Sequence, residues 1–194
     1  MAYNAIARRL LSAAAGFFVG LALWLGTGAA YARLVAPASQ AILRVAETPN
    51  VTTLRPRERQ VLVVRSDVPR GSDRPGIPLY DLTFNVILLT TLFAFSHRPL
   101  SNRNVTGFAI AALILYCSHA AALSVWVLDL YASSFGRIST AFYSDVERWT
   151  WRWLLNAYRV LVQFALPAVL WWLLADEPRR EGAPRPVPAR RRRK

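Results

Sequence analysis

Cysteine is all but missing from this chain of 194 residues: Cys117 stands alone, so no internal disulfide and no thiolate metal cluster can form. Histidine is nearly as scarce, with His97 and His119 only, which leaves little material for an imidazole metal site. Acidic residues number 11 against 24 basic ones, and of the basic ones Lys194 is the single lysine. Charged residues make up 18% of the chain, whereas soluble domains carry about 25%. The sequence also has no phosphate-binding glycine loop, no HExxH, no GxSxG and no dinucleotide fingerprint. These absences argue against a soluble enzyme, and the expectation is no catalytic residue, no metal and no cofactor.

What is present is apolar. Hydrophobic residues reach 54% and mean hydropathy is +0.25. A membrane helix needs about 20 mostly apolar residues, and four segments qualify as candidates. The first is 10–32, preceded by Arg8 and Arg9 and free of charge. The second, 79–95, is short and carries Asp81, Thr83, Asn85, Thr90 and Thr91. The third, 105–128, contains Cys117, Ser118 and His119. The fourth, 153–174, contains Arg159, Gln163 and Pro167. The predicted fold class is an all-α membrane protein with four transmembrane helices and a small external β-hairpin. Gly16-x-x-x-Gly20 in the first segment is a small-residue spacing that lets helices approach closely. The same segment also reads as a secretory signal ending in Ala30-Tyr31-Ala32, although its apolar stretch exceeds the usual 7–15 residues of such a signal.

Four spans put both termini on one side. Basic residues divide evenly, twelve on each side. They are much denser on the side holding residues 1–9, the 96–104 loop and the 175–194 tail, and the positive-inside rule therefore places both termini in the cytoplasm. The 33–78 segment then faces outward. Tyr31 to Glu47 continues the first helix, with an interruption expected at Pro37 and an apolar side made by Leu34, Ile42, Leu43 and Val45. Val51–Leu54 and Gln60–Arg65 read as strands. Two strands are marginal alone, so this hairpin needs the membrane surface, a third strand or a partner. Val68–Pro78, with its prolines and glycines, reads as a linker.

Ionisable residues inside membrane spans are costly and mark functional candidates. Arg159 lies about two turns inside the outer end of its span. Asp81 and Asp129 sit at the outer ends of theirs, and an ion pair of Arg159 with one of them is expected. Asn85 and His119 complete this polar intramembrane cluster, which serves either as a binding site or as a helix register. His119 is expected to hydrogen-bond across helices with Ser118 or Asn85. Cys117 cannot pair with His119 as nucleophile and base, because residues two apart on a helix do not face each other.

Trp149 and Trp151 lie in the 129–152 loop and Trp153 opens the fourth span; a surface-lying helix is expected over 139–153, running into that span. They read as outer-interface anchors, with Trp171 and Trp172 as the inner belt. Arg190, Arg191, Arg192, Arg193 and Lys194 end a proline-rich tail that suits anionic phospholipid rather than nucleic acid, since it brings no base-reading element.

The segment Trp24…Arg33-Leu34…Pro37…Leu43-Arg44, the Val61–Val64 strand and Pro78-Leu79-Tyr80-Asp81-Leu82-Thr83-Phe84-Asn85 leading into a span resemble the exosortase H-associated membrane proteins. The resemblance covers most of the chain in layout. It implies a bacterial inner-membrane protein working beside a larger integral membrane protein, a transpeptidase that processes proteins with C-terminal sorting signals. It supplies no catalytic residues. The expected function is a non-enzymatic accessory subunit of an envelope sorting or export system. The alternative is a small transporter or lipid-binding protein with its site at Arg159, Asp81 and Asp129.

Overall fold

The computed structural model describes residues 2–47, 50–67, 74–134 and 137–175. Helix α1 runs Ala2–Ala46, 45 residues or about 68 Å. Three strands follow: β1 Thr52–Arg57, β2 Gln60–Arg65 and β3 Gly76–Pro78. The remaining helices are α2 Tyr80–Thr83, α3 Asn85–Phe95, α4 Asn102–Ser134, α5 Arg137–Phe142, α6 Asp145–Ala157 and α7 Gln163–Leu174, with a π-helical turn at Tyr158–Val162 joining α6 to α7.

Three helical stretches, Ile6–Ala46, Asn102–Ser134 and Asp145–Leu174, are long and apolar enough to cross a membrane. Tyr80–Phe95 is a shorter apolar stretch. Its 16 residues reach about 24 Å, less than the ~30 Å hydrocarbon core. The charge-free part of α1, residues 10–32, is about 34 Å long, enough for that core, and the 14 residues after it add about 21 Å of helix.

Pro37 does not interrupt α1, contrary to the sequence expectation. A proline removes one donor and frees the carbonyl four residues back. Here the ring sits on the exposed side. The inner side is held by α4: the Tyr116 hydroxyl donates to the Leu34 carbonyl at 2.9 Å and Ser39 Oγ to the Ala120 carbonyl at 2.9 Å. Neighbouring helices thus keep the chain helical through the proline.

The expected hairpin is a three-stranded antiparallel sheet in the order β1-β2-β3. The third strand lies in the segment read as a linker, because Gly76-Ile77-Pro78 pairs with Leu62-Val61-Gln60. Glycine and proline hid it, yet Ile77 is as buried as Val61 and Val63. These side chains and Leu54 form one core with Val35, Ala36 and Leu43 of α1 and Leu123, Val127 and Tyr131 of α4. The sheet therefore rests on the projecting ends of α1 and α4.

The free edge of β1 is closed by a side chain. Gln40 Nε2 donates to the Thr52 carbonyl at 2.8 Å and the Leu54 amide donates to Gln40 Oε1 at 2.6 Å. The Thr52 amide donates to Glu47, and Pro56 has no N–H to offer. Thr52 Oγ1 bonds both Glu47 (2.6 Å) and the Tyr131 hydroxyl (2.7 Å), tying α1, β1 and α4 together.

Outside the membrane-spanning part, Arg65 reaches Asp67 through two hydrogen bonds at 2.9 and 2.7 Å. This hydrogen bonding holds the Asp67 carboxyl below the usual carboxylate range. A depressed carboxyl stabilises the fold above its unfolded pKa, about 3.9, and the contribution is lost as pH falls through the folded value. Asp67 is exposed, so the effect is small, about 0–1 kcal/mol. Melting the protein in detergent at pH 6 and pH 3 should show an acid-side loss that Asp67→Asn reduces. An unchanged acid response in the variant would remove Arg65–Asp67 from the pH dependence.

The other end of the bundle gathers the start of α1, the α3–α4 loop and the end of α7. Arg9 contacts His97 Nδ1 at 3.1 Å, and Trp171 Nε1 donates to Ser96 Oγ at 3.0 Å. The helix expected over 139–153 and running into the fourth span is divided between α5 and α6. A capping box, Ser144 with Glu147, starts α6, which continues through the π turn into α7.

Candidate functional site

Where α1, α3 and α4 converge below the sheet, a buried hydrogen-bonded chain crosses the bundle. His119 Nε2 lies 2.9 Å from Asn85 Oδ1 and His119 Nδ1 lies 2.6 Å from the Tyr31 hydroxyl. An amide oxygen can only accept, so Nε2 carries the proton and Nδ1 accepts from Tyr31. Both ring nitrogens are engaged. Asn85 is the partner expected from sequence, whereas Ser118 bonds its own helix at Leu115. Tyr31, which the sequence places at the start of the outward continuation of the first helix, is a partner that pattern does not announce. Asn85 Nδ2 and the Tyr158 hydroxyl are buried without hydrogen-bond partners.

The expected pairing of Arg159 with Asp81 or Asp129 is not what the side chains do. The Arg159 guanidinium stacks on Trp126, 4.0 Å from the ring centroid. Cation–π stacking satisfies an arginine where desolvation of a carboxylate would be costly. Asp129 faces Arg152 instead, with Nε to Oδ1 at 3.9 Å, an ion-pair distance too long for a hydrogen bond. Arg159 and Asp81 do share one shallow hollow with Trp24, Phe84 and Gln163, and Asp129 is not part of it. The five residues grouped from sequence therefore divide between the Asn85–His119 hydrogen bond and the Arg159–Asp81 hollow, with Asp129 ion-paired to Arg152 and still within reach of the Arg159 charge.

Gln163 Nε2 donates to the Asp81 carbonyl, where the helix from Tyr80 to Phe95 breaks at Phe84. The π turn directly precedes Gln163. Such bulges shift a side chain's direction along a helix, and this one accompanies an amide aimed at the break in the neighbouring helix.

Trp149 and Trp153 stack at 6.4 Å between centroids and are exposed, while Trp151 packs against the core. Trp172 is exposed, and Trp171 is engaged with Ser96. Cys117 is exposed and His119 is buried, so α4 turns them to different sides. Among the described residues no group of three or more His, Cys, Asp and Glu side chains is placed to hold a metal. Arg190–Lys194 lie outside the described residues.

Beside the buried chain lies a cavity of about 240 Å³. Leu23 and Trp24 of α1, Val86 and Leu89 of α3, and Phe108 and Ala112 of α4 form its apolar part. Tyr31, His119 and Tyr80 stand at the end nearer the sheet, and Arg59 reaches down α1 from that end, past Gly28, to the Leu25 carbonyl. Nothing in the sequence announced it, because its walls come from four elements and its basic residue from a β-turn. That turn, Glu58–Arg59, folds back towards the bundle, with Glu58 in the left-handed region at φ 54°. The Leu79 amide donates to the Arg59 carbonyl at 3.0 Å and Arg59 donates to the Leu25 carbonyl. A Cβ on Gly28 would stand 3.1 Å from Arg59 Cγ, so the glycine lets the arginine lie on α1.

Comparison of the chain with protein-family models, with curated proteins and with solved structures finds no match.

Proposed function

We propose that the chain is a non-enzymatic accessory subunit in a bacterial inner membrane, crossing it four times with both termini in the cytoplasm. It docks on a larger integral membrane protein of an envelope sorting or export system. A membrane transpeptidase is the partner that the exosortase-associated resemblance suggests.

One observation supports the docking part above the others. On the stretch of α1 beyond its charge-free span, Leu34, Ile42 and Val45 are 60%, 41% and 89% exposed. The sequence grouped them with Leu43 as a single apolar side, but Leu43 and Val35 turn inward to the sheet while these three face out. Successive residues turn by about 100° on a helix, which brings the three within one stripe. Lipid tails cover apolar residues within the bilayer, but an apolar stripe above it calls for a protein surface.

Ile42→Glu with Val45→Glu tests this. Capture of the tagged variant in mild detergent should lose the larger membrane protein that accompanies the native chain, while abundance and melting temperature stay unchanged, because no core contact is removed. Undiminished capture by the variant, or a native chain that purifies without any such partner, would overturn the reading.

A further inference from the structure

We propose that the cavity between α1, α3 and α4 is a binding site for a single phospholipid, with an acyl chain in the apolar part and the phosphate on Arg59. The inference is independent of the accessory-subunit reading.

The lining is graded along the membrane normal. From Phe108 to His119 it runs along 12 residues of α4, about 16 Å or half the hydrocarbon core. That is the depth of one leaflet. The half away from the sheet is lined by Leu89, Phe108 and Ala112, and the half towards it by Tyr31, Tyr80 and His119. An amphiphile standing in the sheet-side leaflet has the same gradient. The volume, about 240 Å³, falls below the ~300–1,000 Å³ of ordinary ligand pockets, and a helix of ~10 Å diameter cannot enter. A single chain can.

The headgroup end supplies the charge. Arg59 is fixed at three points: its carbonyl by the Leu79 amide, its guanidinium by the Leu25 carbonyl, and its stem by the bare backbone at Gly28. A guanidinium carries five N–H donors. None of the described residues offers Arg59 a carboxylate within ion-pair distance. At the sheet-side rim the available anion is lipid phosphate, which arginine grips in forked geometry. His119 does not compete for it, because both its nitrogens are already engaged.

The test is native mass spectrometry of the full chain released from nanodiscs of mixed phosphatidylglycerol and phosphatidylcholine. The native chain should retain one phospholipid, enriched in phosphatidylglycerol. Arg59→Gln should weaken retention about tenfold, the loss of a charge-assisted hydrogen bond, and Ala112→Phe should abolish it by filling the apolar part. A diazirine-tailed phospholipid on the unaltered protein keeps the test open if Ala112→Phe misfolds: its crosslinks should map to Trp24, Val86 or Phe108. Crosslinks spread over the outer faces of α1 and α7, or equal retention by folded variants, would overturn the proposal. So would a retained species without phosphate.

Discussion

Gly20→Leu should leave the bundle unable to close, and the variant should be degraded or unfold far below the native protein. A Cβ at Gly20 would stand 2.0 Å from Thr90 Oγ1 and 3.0 Å from the Ile87 Cα, and one at Gly16 would meet Ala94 Cβ at 2.4 Å and the Thr90 carbonyl oxygen at 2.8 Å. Thr90 cannot easily yield, since its hydroxyl is held by the Val86 and Ile87 carbonyls at 3.1 and 2.9 Å. The two glycines, one helical turn apart, are thus the seat of α3 on α1. Overpacking costs about 1–3 kcal/mol where side chains can shift, and more where backbone must. Gly26 supplies the control: a Cβ there meets nothing within 4 Å. Gly26→Leu should therefore accumulate and melt like the native chain. If Gly20→Leu and Gly26→Leu behave alike in abundance and detergent melting, the close α1–α3 approach does not hold the fold.

His119→Leu is expected to be almost as damaging, for an electrostatic reason. It leaves the Tyr31 hydroxyl and Asn85 Oδ1 facing an apolar side chain, next to an Asn85 Nδ2 that already lacks a partner. A buried polar group orphaned in this way costs about 1–3 kcal/mol, although hydrogen bonds between membrane helices average nearer ~0.6 kcal/mol when measured. The distinguishing result is the triple change Tyr31→Phe, His119→Leu and Asn85→Leu. Removing all the partners together avoids the orphans, so the triple variant should recover most of the melting temperature lost by the single one. Additive losses across the set would mean that the imidazole acts by shape and not by hydrogen bonding.

The parts of the fold that follow from hydropathy and local pattern were legible in the sequence. Apolar runs long enough to cross a bilayer core located the three long helices, β-branched residues located β1 and β2, and the glycine spacing marked a surface suited to close helix contact. What stayed hidden depends on contacts between segments far apart. Pro37 reads as a break because the hydrogen bonds that support α1 around it are made with α4. Gly76-Ile77-Pro78 reads as a linker because a three-residue strand acquires its identity from its partner, not from its own propensity. Gln40 looks like any polar residue on a helix until β1 lies beside it. Arg159 reads as half of an ion pair because charge suggests charge, and the competing aromatic, Trp126, is 33 positions away. Asn85 and His119 were legible as a pair because polar residues at similar membrane depth have few partners to choose from.

The Gln40 clamp bears on the order in which the protein assembles. The three strands are contiguous in sequence, and a local meander would ordinarily form early. This one has its edge satisfied by α1 and its buried face completed by Tyr131, Val127 and Leu123 of α4. Until α4 is in place, the emerging strands have no apolar wall on that side and Thr52 has no Tyr131. The sheet, although it precedes α4 in the chain, takes part of its buried face from α4, and its closure should therefore await the packing of α4 against α1.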